Sequence, residues 1–124
     1  FFSSNQIPLY LRILLHNNGM NYRDFTYVDD LVNILIQTAK KFPTDKILNI
    51  CRSKPIKTTH LVNLINKIYG NNKNKIINTG FVKGEMLKTH GSNSLLKKNF
   101  TNLKFTDLAF GLKKTVATYK KFGY

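Results

Sequence analysis

The 124-residue sequence has no tryptophan, a single cysteine, three prolines and only six acidic side chains. With Cys51 alone no internal disulfide can form, which fits a reducing compartment. No apolar stretch approaches the roughly 18 residues that a membrane helix needs, and no secretory signal pattern occurs. The expectation is therefore a soluble cytoplasmic protein with no membrane partner. Neither G-x-x-G-x-x-G nor G-x-G-x-x-G is present, so these residues contain no glycine-rich turn of the kind that cradles a dinucleotide pyrophosphate. An initiator methionine is missing too, and the opening Phe1-Phe2-Ser3-Ser4 reads as the continuation of something earlier. The length suits one modest core, a domain or a piece of one, and is too short for two full domains.

What the chain does have is positive charge: 20 Lys and Arg against six acids give a formal net charge of +14. Such a balance raises nucleic acid or another anionic partner. The lysines, however, fall singly or in pairs (Lys40-Lys41, Lys97-Lys98, Lys113-Lys114, Lys120-Lys121), mostly near predicted helix ends, where cations suit the carbonyl end of the dipole. No run of five basic residues occurs. A biased but ordinary solvated surface is the expectation, and nucleic acid is not the expected partner. The alternative from a different class, a small basic interaction module, would require a concentrated cationic face.

Apolar spacing gives an α/β pattern of short strands alternating with helices. Residues 7–15 are apolar apart from Arg12 and close on the turn His16-Asn17-Asn18-Gly19; strand and helix both remain open for them. Residues 22–28 should be extended. Asp29-Asp30 then starts a helix with Leu31, Ile34, Leu35, Thr38 and Ala39 on one face. Residues 47–51 read as a short buried strand. Thr58 is expected to cap a helix carrying Leu61, Leu64, Ile65 and Ile68, which stops at Gly70-Asn71-Asn72. A brief strand over 75–78 and an aperiodic, functional-looking loop over 80–91 follow. Ser92 or Ser94 can start a short helix with Leu95, Leu96 and Phe100. Thr106 and Asp107 open the last one, with Leu108, Leu112, Val116 and Tyr119 at helical spacing.

The segment Arg23-Asp24-Phe25-Thr26-Tyr27-Val28-Asp29-Asp30 closely resembles the "RDFTYVDD" signature of extended short-chain dehydrogenase/reductases acting on nucleotide sugars, especially the UDP-glucuronate 4-epimerase group. Leu48-Asn49-Ile50 resembles "YNIG", Gly84-Glu85-Met86-Leu87-Lys88-Thr89 resembles "GDVPKT", and Gly111-Leu112-Lys113-Lys114-Thr115-Val116 resembles "GLKKTV", all in the family's order. The resemblance runs from about residue 19 to the end and fades before it, where residues 7–18 depart from the family pattern. It implies that residues 1–124 are the C-terminal part of an NAD-dependent epimerase/dehydratase. They would comprise Rossmann periphery plus a nucleotide-sugar-binding subdomain, with an incomplete parallel sheet and no N-terminal NAD-binding core. The implied cofactor of the complete enzyme is NAD, with none expected on this piece alone. The implied partners are a UDP-glucuronate-like nucleotide sugar, the missing Rossmann core and a second copy of the complete enzyme. The implied reaction oxidises the sugar at C4, rotates the keto intermediate and returns hydride to its opposite face. Related dehydratases and decarboxylases begin with the same oxidation.

Such chemistry requires a tyrosine paired with a lysine one helical turn away. Tyr69-Gly70-Asn71-Asn72-Lys73 spells Y-x-x-x-K, but Gly-Asn-Asn is poor helix filler, so it reads as a helix end and a solvated loop. No catalytic residue is expected here. Among binding residues, the resemblance assigns Arg23 to the diphosphate, where a guanidinium presents a rigid fork of donors to phosphate oxygens; the structural alternative is an ion pair with Asp24, Asp29 or Asp30. Lys83 could add a second positive charge or stay solvated. Asn49 could orient loop backbone near the cofactor or make a strand-end hydrogen bond. Asp24, Asp29 and Asp30, with Gly84 and Glu85, belong to the structural motif, and Tyr27 to packing. Lys83-Gly84-Glu85 stands where many relatives show Arg or Gln followed by Pro-Gly-Asp, and Thr89-His90-Gly91-Ser92 where they show Thr-Tyr-Ala-Asp. Ser92 can still cap a helix. His90 has no Cys or acidic cluster at ligand spacing, so no metal is expected.

Overall fold

The computed structural model describes residues 12–45, 47–70 and 75–122. Residues 1–11, which carry the start of the undecided apolar stretch, and 71–74, which complete the rejected Y-x-x-x-K string, lie outside them. The elements are β1 (Arg12–Leu15), β2 (Tyr22–Arg23), α1 (Val28–Lys40), β3 (Ile56–Lys57), α2 (Thr58–Tyr69), β4 (Lys75–Asn78), α3 (Ser94–Asn99) and α4 (Leu108–Lys121). This is the expected mixed α/β arrangement.

β1 and β4 form a parallel pair in the register Ile13 with Ile76 and Leu14 with Ile77. β2 pairs antiparallel with β3, Tyr22 facing Lys57, so the sheet structure is not parallel throughout. Beyond β1 the chain turns through residues 16–19. There Asn17, Asn18 and Gly19 take φ of 50°, 52° and 68°, a left-handed run that asparagine tolerates and glycine adopts without cost. The Asn17 and Asn18 amides donate to the Gly80 and Thr79 carbonyls at 3.2 and 3.0 Å, so the turn is bound to the end of β4. A Cβ on Gly19 would come within 2.5 Å of Thr59 Cγ2, so the turn packs directly on the start of α2.

The principal core is Ile34 of α1 with Leu96 and Phe100 of and beside α3, supported by Leu48, Ile50, Leu103 and Phe105. Leu96 is fully enclosed, a burial worth roughly 2 kcal/mol. The expected strand over 47–51 does not form: Leu48 and Ile50 lie against this core, but no described segment offers them a ladder partner, and Ile47 points to solvent. Thr58 also differs from expectation. It is the first helical residue, with Lys57 at the cap position, and both its amide and its hydroxyl donate to the Asn21 carbonyl, at 2.9 and 3.0 Å. Tertiary anchoring thus replaces local capping. α2 ends on Gly70 with φ 75°, the left-handed stop its sequence signals. α4 is capped by Asp107, whose carboxylate accepts the Ala109 and Phe110 amides at 2.9 and 3.4 Å. α2 packs against α4, and Lys120 joins their ends by donating to the Tyr69 carbonyl at 3.2 Å.

The face expected to be buried on α1 is only partly covered. Ile34 points inward, whereas Val28, Leu31, Val32 and Leu35 form an apolar stripe at helical spacing that stays exposed, Val28 by 59% and Leu35 by 51%.

Candidate functional site

Arg23 sits at the end of β2, and everything around it is built from Tyr22. The Tyr22 amide donates to the Leu87 carbonyl at 2.8 Å, and the Tyr22 carbonyl accepts the Thr89 amide at 3.1 Å, so residues 87–89 run beside β2 as a second, parallel neighbour. β3 holds the other edge. The loop that leads into this pairing makes a tight turn in which the Glu85 amide donates to the Val82 carbonyl at 3.1 Å. Gly84 occupies the position of positive φ, at 86°, that such a turn demands. Glu85 is thereby brought to Arg23 from 62 residues away: Nη2 of Arg23 donates to Oε1 of Glu85 at 3.4 Å. Nη1 donates to the Tyr22 carbonyl at 2.8 Å. Both terminal nitrogens are anchored, yet the side chain stays 28% exposed. Two lysines lie beside its neighbour Tyr22. Lys57 Nζ lies 5.8 Å from the centroid of the Tyr22 ring, and Lys88 bridges to Tyr22 through the backbone.

None of the three aspartates offered by sequence as partners for Arg23 takes that place. Asp24 accepts the Ser53 and Lys54 amides at 2.9 and 3.3 Å, closing the turn before β3. Asp29 pairs with Lys114 at 3.9 Å, at the surface. Asp30 is buried and accepts the amide and hydroxyl of Thr106 at 2.8 and 2.6 Å. Tyr27 packs its ring over Gly111 of α4, with Lys114 Nζ 5.9 Å from the ring centroid; burial, then Asp29 and Asp30, push its hydroxyl pKa up. The stretch after Arg23 therefore docks α1 onto the segment that begins α4.

Lys83 is exposed in the turn ahead of Glu85, and Asn49 is exposed on the segment that packs against the core; no hydrogen bond joins either to Arg23. His90 faces the Ser53 hydroxyl at 3.4 Å, and no group of three or more His, Cys, Asp or Glu side chains that could hold a metal occurs among the described residues. Sequence reasoning did not single out Asn93. Its buried amide donates to the Cys51 and Arg52 carbonyls at 2.9 and 3.3 Å, tying the start of α3 to the segment beside the Arg23 sheet. Burial raises the Cys51 thiol above its ordinary pKa, with Asp24 adding to the shift. No helix among the described residues is long and apolar enough to cross a membrane.

The fold is that of part of the NAD-dependent epimerases and dehydratases of the extended short-chain dehydrogenase/reductase type. Over 91% of the chain it superposes on dTDP-glucose 4,6-dehydratase of Bacillus anthracis, solved in complex with NAD, with a TM-score of 0.77 and 22% identity, covering 36% of that chain. In sequence it is 34% identical over 95 residues to an uncharacterized protein of Methanocaldococcus jannaschii, covering 77% of this chain and 29% of the relative. It is 30% identical over 110 residues to UDP-glucuronate 4-epimerase 6 of Arabidopsis thaliana, covering 78% of this chain and 24% of the relative. No protein-family model matches the sequence. The chain thus spans 24–29% of the length of these curated relatives.

Proposed function

We propose that this chain is the nucleotide-sugar-binding part of an NAD-dependent sugar-nucleotide epimerase of the UDP-glucuronate 4-epimerase kind, with Arg23 as the cation that meets the diphosphate. The observation that carries the reading is the anchoring of Arg23 by the Tyr22 carbonyl and Glu85 while its side chain keeps 28% exposure. Two of the five guanidinium N–H donors are engaged, and the remaining three suit the fork-like recognition of phosphate oxygens. Lys57 and Lys88 lie beside Tyr22 in the same small sheet and add to its positive potential. Similarity to a UDP-glucuronate 4-epimerase over 78% of this chain supports the choice of substrate class.

In this reading the hydride chemistry, the NAD site and the tyrosine–lysine pair lie outside the 124 residues, in the Rossmann core against which this part works. The chain by itself then binds a nucleotide sugar weakly and turns none over. NMR titration of the chain with UDP-glucuronate tests this. Shifts concentrated at Tyr22, Arg23 and residues 82–89, with no NAD-dependent epimerisation, are the expected result. Shifts spread evenly over the lysine-rich surface, or turnover by the pure chain, contradict it.

A further inference from the structure

Among the described residues, Glu85 carries a buried side-chain oxygen whose hydrogen-bonding capacity is unmet. Its Oε1 meets Arg23 at 3.4 Å, but its Oε2 is buried with no hydrogen-bond partner among the described residues. A buried carboxylate oxygen without a donor is costly, so the side chain is held where it is by something other than its own satisfaction. That something is the backbone. The Gly84 turn and the pairing of residues 87–89 with Tyr22 fix the loop to the same strand that carries Arg23. The side chains of Arg23 and Glu85 keep 28% and 25% exposure, so the pair is reached from solvent while the Glu85 Oε2 atom is not.

We propose that Glu85 is a positioning residue for Arg23, holding the guanidinium by its Nη2 edge so that its free N–H donors face an incoming diphosphate in a single orientation. The inference rests on the reading of Arg23 given above. Its physical content is preorganisation: an arginine side chain loses rotamer freedom when it binds, and a fixed second anchor removes part of that loss before the ligand arrives. A carboxylate beside a diphosphate site would otherwise only repel. Here it is coupled to the cation through the shared Tyr22 scaffold.

NMR titrations of the chain with UDP and with uridine separate the roles. Glu85→Ala is expected to weaken UDP binding about 5- to 20-fold through lost preorganisation, and to leave uridine within about two-fold, because the effect acts only through the phosphate-facing arginine. Glu85→Gln, whose amide oxygen still accepts from Nη2, should restore UDP binding to within about three-fold of the parent. In the unliganded protein the Arg23 Nε–H signal should broaden or shift in Glu85→Ala and not in Glu85→Gln. Should Glu85→Ala fail to fold, Arg23→Lys provides the second route: it keeps the charge but cannot bridge two anchors, and the same loss for UDP is expected. Unchanged UDP affinity in the folded Glu85→Ala and in Arg23→Lys, or an equal fall for uridine, overturns the positioning role while leaving Arg23 as the diphosphate cation. A parent chain that does not distinguish UDP from uridine overturns the reading of Arg23 and this inference together.

Discussion

Asp30, buried in the first turn of α1, accepts both the amide and the hydroxyl of Thr106, at 2.8 and 2.6 Å, across 76 residues of chain. One carboxylate thus fixes the start of α1 to the residue that precedes the Asp107 cap of α4. Asp30→Ala leaves a part-buried amide and hydroxyl without acceptors and should cost about 3 kcal/mol. Thr106→Val removes only the hydroxyl and should cost about half as much. Chemical denaturation of both single variants and the double variant checks this: the two effects should be strongly non-additive, because they remove one shared interaction.

Gly19 makes a second, steric demand. Its φ of 68° excludes most side chains, and an added Cβ would lie 2.5 Å from Thr59 Cγ2. Gly19→Ala should destabilise by about 2–4 kcal/mol from backbone strain and overpacking combined. Adding Thr59→Ser removes the opposing methyl and should recover the overpacking part alone. Thermal melts of the single and double variants would show a partial rescue; a full rescue would mean that the left-handed backbone costs nothing there.

The Asp107 carboxyl is held below its ordinary pKa, chiefly by the Phe110 and Ala109 amides, with Arg52 at 3.5 Å contributing less. A carboxyl whose folded-state pKa is depressed contributes stability above its unfolded value, about 3.9, and loses it as pH falls through the folded value. Asp107→Ala should therefore melt below the parent at neutral pH, and the gap should close as pH drops under about 4. Melting curves across that range test the sign: a gap that widened on acidification would exclude the capping role.

The exposed stripe of Val28, Leu31, Val32 and Leu35 predicts how the chain behaves alone. A face of this kind awaits another surface, and a chain that leaves it in water should bind a hydrophobic dye, unfold with low cooperativity and self-associate. Analytical ultracentrifugation combined with thermal unfolding decides. A cooperative transition in a demonstrably monomeric sample would contradict the expectation.

The helices were legible in the sequence because their signals are local: apolar residues at helical spacing on α2 and α4, Gly70 as a stop, and Asp107 as a cap. The same holds for β4 and for the turn at residues 16–19. Misreadings arose where a distant partner decides. Residues 47–51 have the composition of a strand, but a strand needs a neighbour, and Leu48 and Ile50 pack against the core of Ile34, Leu96 and Phe100 instead. Thr58 has the chemistry of a cap, but the Asn21 carbonyl takes both its donors. At the site, Arg23 and Glu85 were each visible in motifs, whereas their pairing was not. Asp24, Asp29 and Asp30 are nearer in sequence, and only the turn at Gly84 with the Tyr22 pairing shows that each of them is engaged elsewhere.

The central claim is that Arg23 meets a diphosphate, and the most direct test is the affinity of the chain and of Arg23→Gln for UDP-glucuronate, measured beside glucuronate and uridine by NMR titration. Loss of a charge-assisted, two-pronged contact should weaken UDP-glucuronate at least about ten-fold and leave the other two ligands unchanged. Equal binding of UDP-glucuronate by the parent and by Arg23→Gln would contradict the account.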